Sequence, residues 1–153
     1  MSSGPLHAYL ANAGTDGRNR SVEDVLAFSD EALERVHDYI QWLFPLPTRS
    51  SAQPDAPVLT EDEIAAIRRD GPAIANLRRA AERMLRFYDR TDWWLTWSDH
   101  NHLRITRILQ SLRLLAGQDA ARSFYDAVMA RHEAAGSPVN PRSLRYWAEA
   151  IGP

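Results

Sequence analysis

The 153-residue chain contains no cysteine and no lysine. Without thiols there is no disulfide, no thiolate metal site and no cysteine nucleophile. No apolar run approaches the roughly 18 residues that a membrane-spanning helix needs, so membrane insertion is not expected. The N-terminal stretch MSSGPLHAYLANAG lacks a basic start followed by an apolar core. A secretory leader is therefore not expected, and the chain reads as soluble and cytoplasmic. Strand-like alternation of useful length is absent, as are internal repeats and low-complexity tracts. A Gly-rich phosphate loop, a small-residue elbow around a serine and a His-x-x-x-His pair are also missing. The familiar nucleotide, serine-hydrolase and helical zinc motifs are thereby excluded, and no cofactor is expected.

What is present is an uneven charge. All 18 basic residues are arginine, and the net charge is −2. Residues 1–63 hold 4 Arg against 11 acids, a balance of −7. Residues 64–153 hold 14 Arg against 9 acids, a balance of +5. A basic half of this kind meets either an anion or the acidic half of its own fold, and the second reading is favoured. The length is that of one domain, able to bury roughly two-thirds of its unfolded surface.

Helical signals dominate the chain. A short helix is expected over Leu6–Asn12, followed by the loop GTDGRNR. Ser21 is placed to cap a helix running through Phe28, and Ser29 caps the next, with Asp30 and Glu31 in its first turn. That helix is expected to continue through HDYIQWLFPLP (His37–Pro47), with Leu33, Val36, Ile40, Leu43 and Phe44 on one face, until Pro45 stops it. LPTRSSAQPDAPVL is an extended loop whose Val58 and Leu59 strap it to the core. Thr60 and Glu63 form a capping box ahead of DEIAAIRR. Pro72 opens a long helix to about Asp89, with the core stripe Ile74, Leu77, Ala81, Leu85 and Tyr88. A helix from about Ser98 to Ala116 buries Ile105, Ile108, Leu109, Leu112 and Ala116, and Gly117 ends it. QDAARSFYDAVMARHEAAG forms the next helix. Asn140 caps the last, with Pro141 at its first position and Leu144, Trp147 and Ile151 inward. The expected fold is a single compact orthogonal all-α domain, residues 1–153, with six to eight helices and one long Pro-rich loop at 45–59.

Three constellations bear on chemistry. His37-Asp38 resembles the central pair of the all-α HD phosphohydrolases, with His7 and Asp99 in the right order for a divalent metal site. On a helical wheel, however, Asp38 lies about 100° from His37, which sets one of them outward. His100, Asn101 and His102 form a second polar cluster, at the inner end of a helix, where such groups must find hydrogen bonds. Arg79, Arg83, Arg86 and Arg90 make a stripe able to hold anions or nucleic acid. Glu82 and Asp89 stand at salt-bridge spacing from Arg78 and Arg86, which favours a solvated face, and nucleic acid is not the expected partner.

HDYIQWLFPLP, APVLT at Ala56–Thr60, RMLRFYD at Arg83–Asp89, WSDHNHLRITRILQSLRLLAG at Trp97–Gly117 and SLRYW at Ser143–Trp147 together resemble the conserved region of the opioid growth factor receptor family. The similarity covers most of the chain in the family's order. The short, Arg-rich chain resembles a bacterial member. The resemblance implies a non-enzymatic domain of receptor type. Animal members are described as receptors for methionine-enkephalin at the nuclear envelope, and none of their residues is carried over as catalytic. The ligand expected is a peptide or small molecule. Its candidate seam is Tyr39, Trp42, Trp93, Trp94 and Trp97, bordered by His37, Gln41, Asn101 and His102, with Arg104 and Arg107 nearby.

Overall fold

A computed structural model describes residues 3–153 and, among them, nine α-helices and no strand. The all-α expectation holds, with one helix more than foreseen. The chain forms two compact units, one ending at Ala80 and the other spanning Ala81–Pro153. No described helix is long and apolar enough to cross a membrane.

The first unit holds α1 (Pro5–Leu10), α2 (Val22–Leu26), α3 (Asp30–Arg35), α4 (Ile40–Leu43), α5 (Glu61–Arg68) and the start of α6 (Gly71–Arg90). Its local caps follow the sequence. Ser21 and Asp24 make a reciprocal capping box, Ser29 accepts from Ala32 N–H, and Thr60 and Glu63 make a second box. Glu63 also does something no local rule foresees. Its Oε2 accepts the Leu6 and His7 backbone N–H groups at 2.9 and 3.1 Å, so a carboxylate 1 % exposed caps α1 from a distant turn. Both donors would otherwise be buried and unsatisfied.

The helix expected through HDYIQWLF is interrupted. α3 ends at Arg35, Val36 is extended at φ −83° and ψ 132°, and α4 starts only at Ile40. Long-range partners override the apolar period here. Asp38 accepts from Arg20 at 2.8 Å and from Arg18 at 3.0 Å, while the Tyr39 hydroxyl donates to the Leu33 carbonyl at 2.5 Å. That hydroxyl satisfies a carbonyl in the last turn of α3, and the Tyr39 ring packs edge-on against Phe28. The stop at Pro45 is as expected, with Phe44 at φ −128° and ψ 70°. The Pro-rich loop is closed at its base, where Leu59 N–H donates to the Leu46 carbonyl at 2.9 Å. Leu46 and Leu59 are buried and Val58 is half-buried.

The second unit contains the end of α6, α7 (His100–Leu115), α8 (Gln118–Ala134) and α9 (Pro141–Ala150). α7 packs on both α8 and α9. Its core face is the expected Ile105, Ile108, Leu109 and Leu112, but Leu115 is buried where Ala116 was expected. The buried face of α6 is likewise rotated from expectation. Ala73, Ala80, Met84 and Phe87 join Leu77, Ala81 and Tyr88 inside, while Ile74 and Leu85 are half-buried. Trp94 closes the end of α6. Its indole N–H donates to the Tyr88 and Thr91 carbonyls at 3.0 and 3.2 Å, satisfying carbonyls at the helix end.

Candidate functional site

In the second unit, the segment after α6 and the starts of α7 and α9 enclose an open groove of about 740 Å³. Local capping builds its walls. Asp99 accepts from Asn101 N–H and opens α7, and Asn140 accepts from Ser143 N–H and opens α9. Asn140 also donates to the Trp97 carbonyl through its side-chain amide at 2.5 Å and its backbone N–H at 3.3 Å. The Trp97 backbone is therefore anchored while its indole stays 66 % exposed. Leu103 on α7 is 72 % exposed and Tyr146 on α9 is 37 % exposed, and both line the same groove. Arg142 lies over the Tyr146 ring and donates to its hydroxyl at 3.1 Å. His100 and Ser143 add polar edges.

Behind the groove, side-chain hydrogen bonds tie its elements together. His102, 3 % exposed, donates from Nε2 to the Trp94 carbonyl at 2.8 Å, and Trp147 donates to the His102 carbonyl at 2.9 Å. Trp94, Trp147 and the His102 ring stack at tilted and edge-on angles. Tyr88 donates to Asn101 Oδ1 at 3.1 Å, and the Asn101 amide donates to Asp99 at 2.9 Å. The Asn101 amide and the His102 Nε2 thus bond to protein groups. His132 on α8 is also buried and accepts the Val139 N–H at Nδ1. Burial holds its pKa below the ordinary value.

The candidate seam residues divide between the units. In the second, Trp97 and His102 line the groove, whereas Trp93, Trp94, Asn101, Arg104 and Arg107 do not. Trp93 is 44 % exposed and tilts against Phe87, and Arg104 is buried. Burial lowers the Arg107 pKa to about 10. In the first unit, His37 is exposed in the α3–α4 link and Tyr39 is core. Gln41 is buried, and its Oε1 makes no hydrogen bond to the described residues. Trp42 is half-buried, meets Tyr9 edge-on at 5.5 Å, and lines a cleft of about 220 Å³ with Arg18, Asp38 and Gln53. Residue reading missed Leu103, Arg142 and Tyr146. Leu103 and Tyr146 did carry a signal, as large apolar residues off the core faces of their helices.

Most residues of the other two constellations have structural occupations. His7 contacts Asp70 through Nε2 at 2.8 Å and accepts from the Ser3 N–H at Nδ1. The His7 contact pulls the Asp70 pKa below its ordinary value. Asp38 is held by Arg20 and Arg18. Burial pushes its pKa up, but those two guanidiniums outweigh it and the net direction is down. Asp99 caps α7. The Arg stripe does not form one solvent face. Arg79, Arg86 and Arg90 are exposed, with Arg79 forking onto Glu23 at 2.6 and 2.8 Å, while Arg83 is buried. The expected pairs of Glu82 and Asp89 with Arg78 and Arg86 do not form among the described residues.

These observations define an all-α protein with an aromatic surface groove. Residues 6–91 match the family described as the opioid growth factor receptor (OGFr) conserved region, and the chain belongs to that family. It is 34 % identical to the human opioid growth factor receptor over 155 residues, covering 85 % of this chain and 22 % of that protein. It is 39 % identical over 99 residues to the mouse opioid growth factor receptor-like protein 1, covering 54 % of this chain and 21 % of that protein. The chain thus spans about a fifth of the length of these curated relatives. No solved structure matches it. Trp97, Leu103 and Tyr146 lie beyond the last residue of the family match.

Proposed function

We propose that this chain is a non-enzymatic ligand-binding domain of receptor type, and that the groove of the second unit takes a peptide. The relatives are named as receptors for an opioid growth factor, which supports a binding role here. The observation that carries the reading is the gathering of Trp97, Leu103 and Tyr146, all exposed, around one groove. Exposed apolar surface costs about 25 cal/mol per Å² relative to burial, and binding energy concentrates at Trp, Tyr and Arg anchors. Asn140, Ser143 and His100 at the edge supply hydrogen-bonding groups for a peptide backbone. In this reading residues 1–153 serve as one domain, with the Pro-rich loop 45–59 inside it.

A fluorescent peptide library containing and lacking aromatic residues tests the proposal. Aromatic peptides should bind saturably, and Trp97→Ala or Tyr146→Ala should weaken them about tenfold or more. Trp42→Ala, in the other unit, serves as the comparison. Absence of peptide binding at millimolar concentration, or loss in Trp42→Ala alone, sinks the groove as the site.

A further inference from the structure

We propose that the second unit also carries a pocket for small apolar monocarboxylates, formed between the end of α6 and α8. The cavity measures about 290 Å³ and is walled by Leu85, Tyr88, Trp94, Ala127 and Val128. That is a side-chain-sized apolar space at the small end of ligand pockets. Its mouth is charged, with Arg86 and Asp89 from α6 and Arg131 from α8.

The two guanidiniums mark the ligand's chemistry. Neither Arg86 nor Arg131 forms an ion pair among the described residues, although acids stand at salt-bridge spacing on α6. Arg131 donates from Nε to the Asp89 backbone carbonyl at 3.3 Å, and its terminal nitrogens make no hydrogen bond to the described residues. An arginine held at Nε keeps its terminal N–H groups for an oxyanion. The Asp89 carboxylate offers one negative charge against two positive ones, so the mouth selects a single anion rather than a cation. A carboxylate between Arg86 and Arg131, with its apolar tail against Tyr88, Trp94 and Val128, satisfies both halves of the pocket. That carboxylate is either a free aliphatic or aromatic acid, or the C-terminus of a peptide ending in an apolar residue. The pocket shares no lining residue with the groove.

The test is a titration of the full chain with hexanoate, hexanamide, hexylamine, N-acetylleucine and N-acetylleucine amide at fixed ionic strength. Calorimetry and the Trp94 indole N–H resonance give the readout. At least one acid should bind saturably and shift that resonance, with its amide about tenfold weaker or worse. Tighter binding of hexanoate identifies a free acid as the source, and tighter binding of N-acetylleucine identifies a peptide C-terminus. Arg86→Met combined with Arg131→Met should abolish the preference for acid over amide. Circular dichroism verifies that this variant folds, and Arg86→Met alone, at an exposed position, is the fallback. Trp97→Ala should leave acid binding unchanged, which separates this pocket from the groove. Equal affinity of acid and amide, preference for hexylamine, no binding at millimolar concentration, or an unchanged preference in the Met variants overturns the proposal.

Discussion

Trp147 donates its indole N–H to the backbone carbonyl of His102 at 2.9 Å, tying α9 to the first turn of α7. Both residues are buried, and the two rings meet edge-on at 5.8 Å. Trp147→Phe removes that donor and part of the ring while leaving an apolar fill. The expected loss is about 2 kcal/mol, read as a lower urea midpoint.

Gly4 is needed for space. A Cβ at this position would lie 2.6 Å from the Glu63 carboxyl group, which is itself pinned by the Leu6 and His7 N–H groups. Gly4→Ala should therefore displace the cap and destabilise by about 1–3 kcal/mol. Glu63→Ala should lose a similar amount, because two buried donors go unsatisfied. In the double variant the costs should be less than additive, since both changes remove one contact.

His132 makes stability depend on pH. Burial is the main cause of its lowered pKa; the charge of Glu133 opposes the shift and that of His102 adds to it. The unfolded chain thus takes up a proton at higher pH than the folded one. Stability is fully present above about pH 6.5 and falls as pH drops through the folded pKa. Urea unfolding at pH 7.5 and 5.5 should show the difference. His132→Gln, which keeps an acceptor for the Val139 N–H, should flatten it. Asp38 and Asp70 act in a lower window, because each has a pKa below its usual 3.8. Their contributions are present above that value and are lost as pH falls through the folded pKa.

Asp38 belongs to the ion-pair network of the loop at 16–20, where Asp16 accepts from the Arg18 and Arg20 N–H groups and from Arg20 Nε. Asp38→Ala should cost about 1–2 kcal/mol by leaving Arg20 with one carboxylate in place of two. His37→Ala, at an exposed position, should cost less than Asp38→Ala. Equal and large losses in both would contradict this division of the His-Asp pair.

Trp97→Ala and Leu103→Ala should each change stability by less than about 0.5 kcal/mol, because both side chains face solvent. Trp94→Ala should cost about 3–5 kcal/mol, as expected for a buried indole whose N–H closes the end of a helix. The three tryptophans of TDWWLTW thus separate by thermal unfolding, with Trp93 near the silent end.

The amino-acid sequence by itself determined the all-α class, the caps at Ser21, Ser29, Thr60 and Asn140, the stop at Pro45 and the core face of α7. Each rests on groups within a turn or two of one another, so local geometry and apolar period suffice. The HDYIQWLFPLP run likewise marked the family. Only the tertiary structure decided the break at Val36–Tyr39, the distant cap from Glu63, the inward turn of Arg83 and the two cavities of the second unit. The break depends on Arg18 and Arg20 reaching Asp38, and the cap on an N-terminus 56 and 57 residues away. The groove needs Trp97, Leu103 and Tyr146 from three segments, and the cavity between α6 and α8 draws Arg86 and Arg131 from two helices. No periodicity within one helix encodes which side chains of another will meet it, because that depends on how the helices pack.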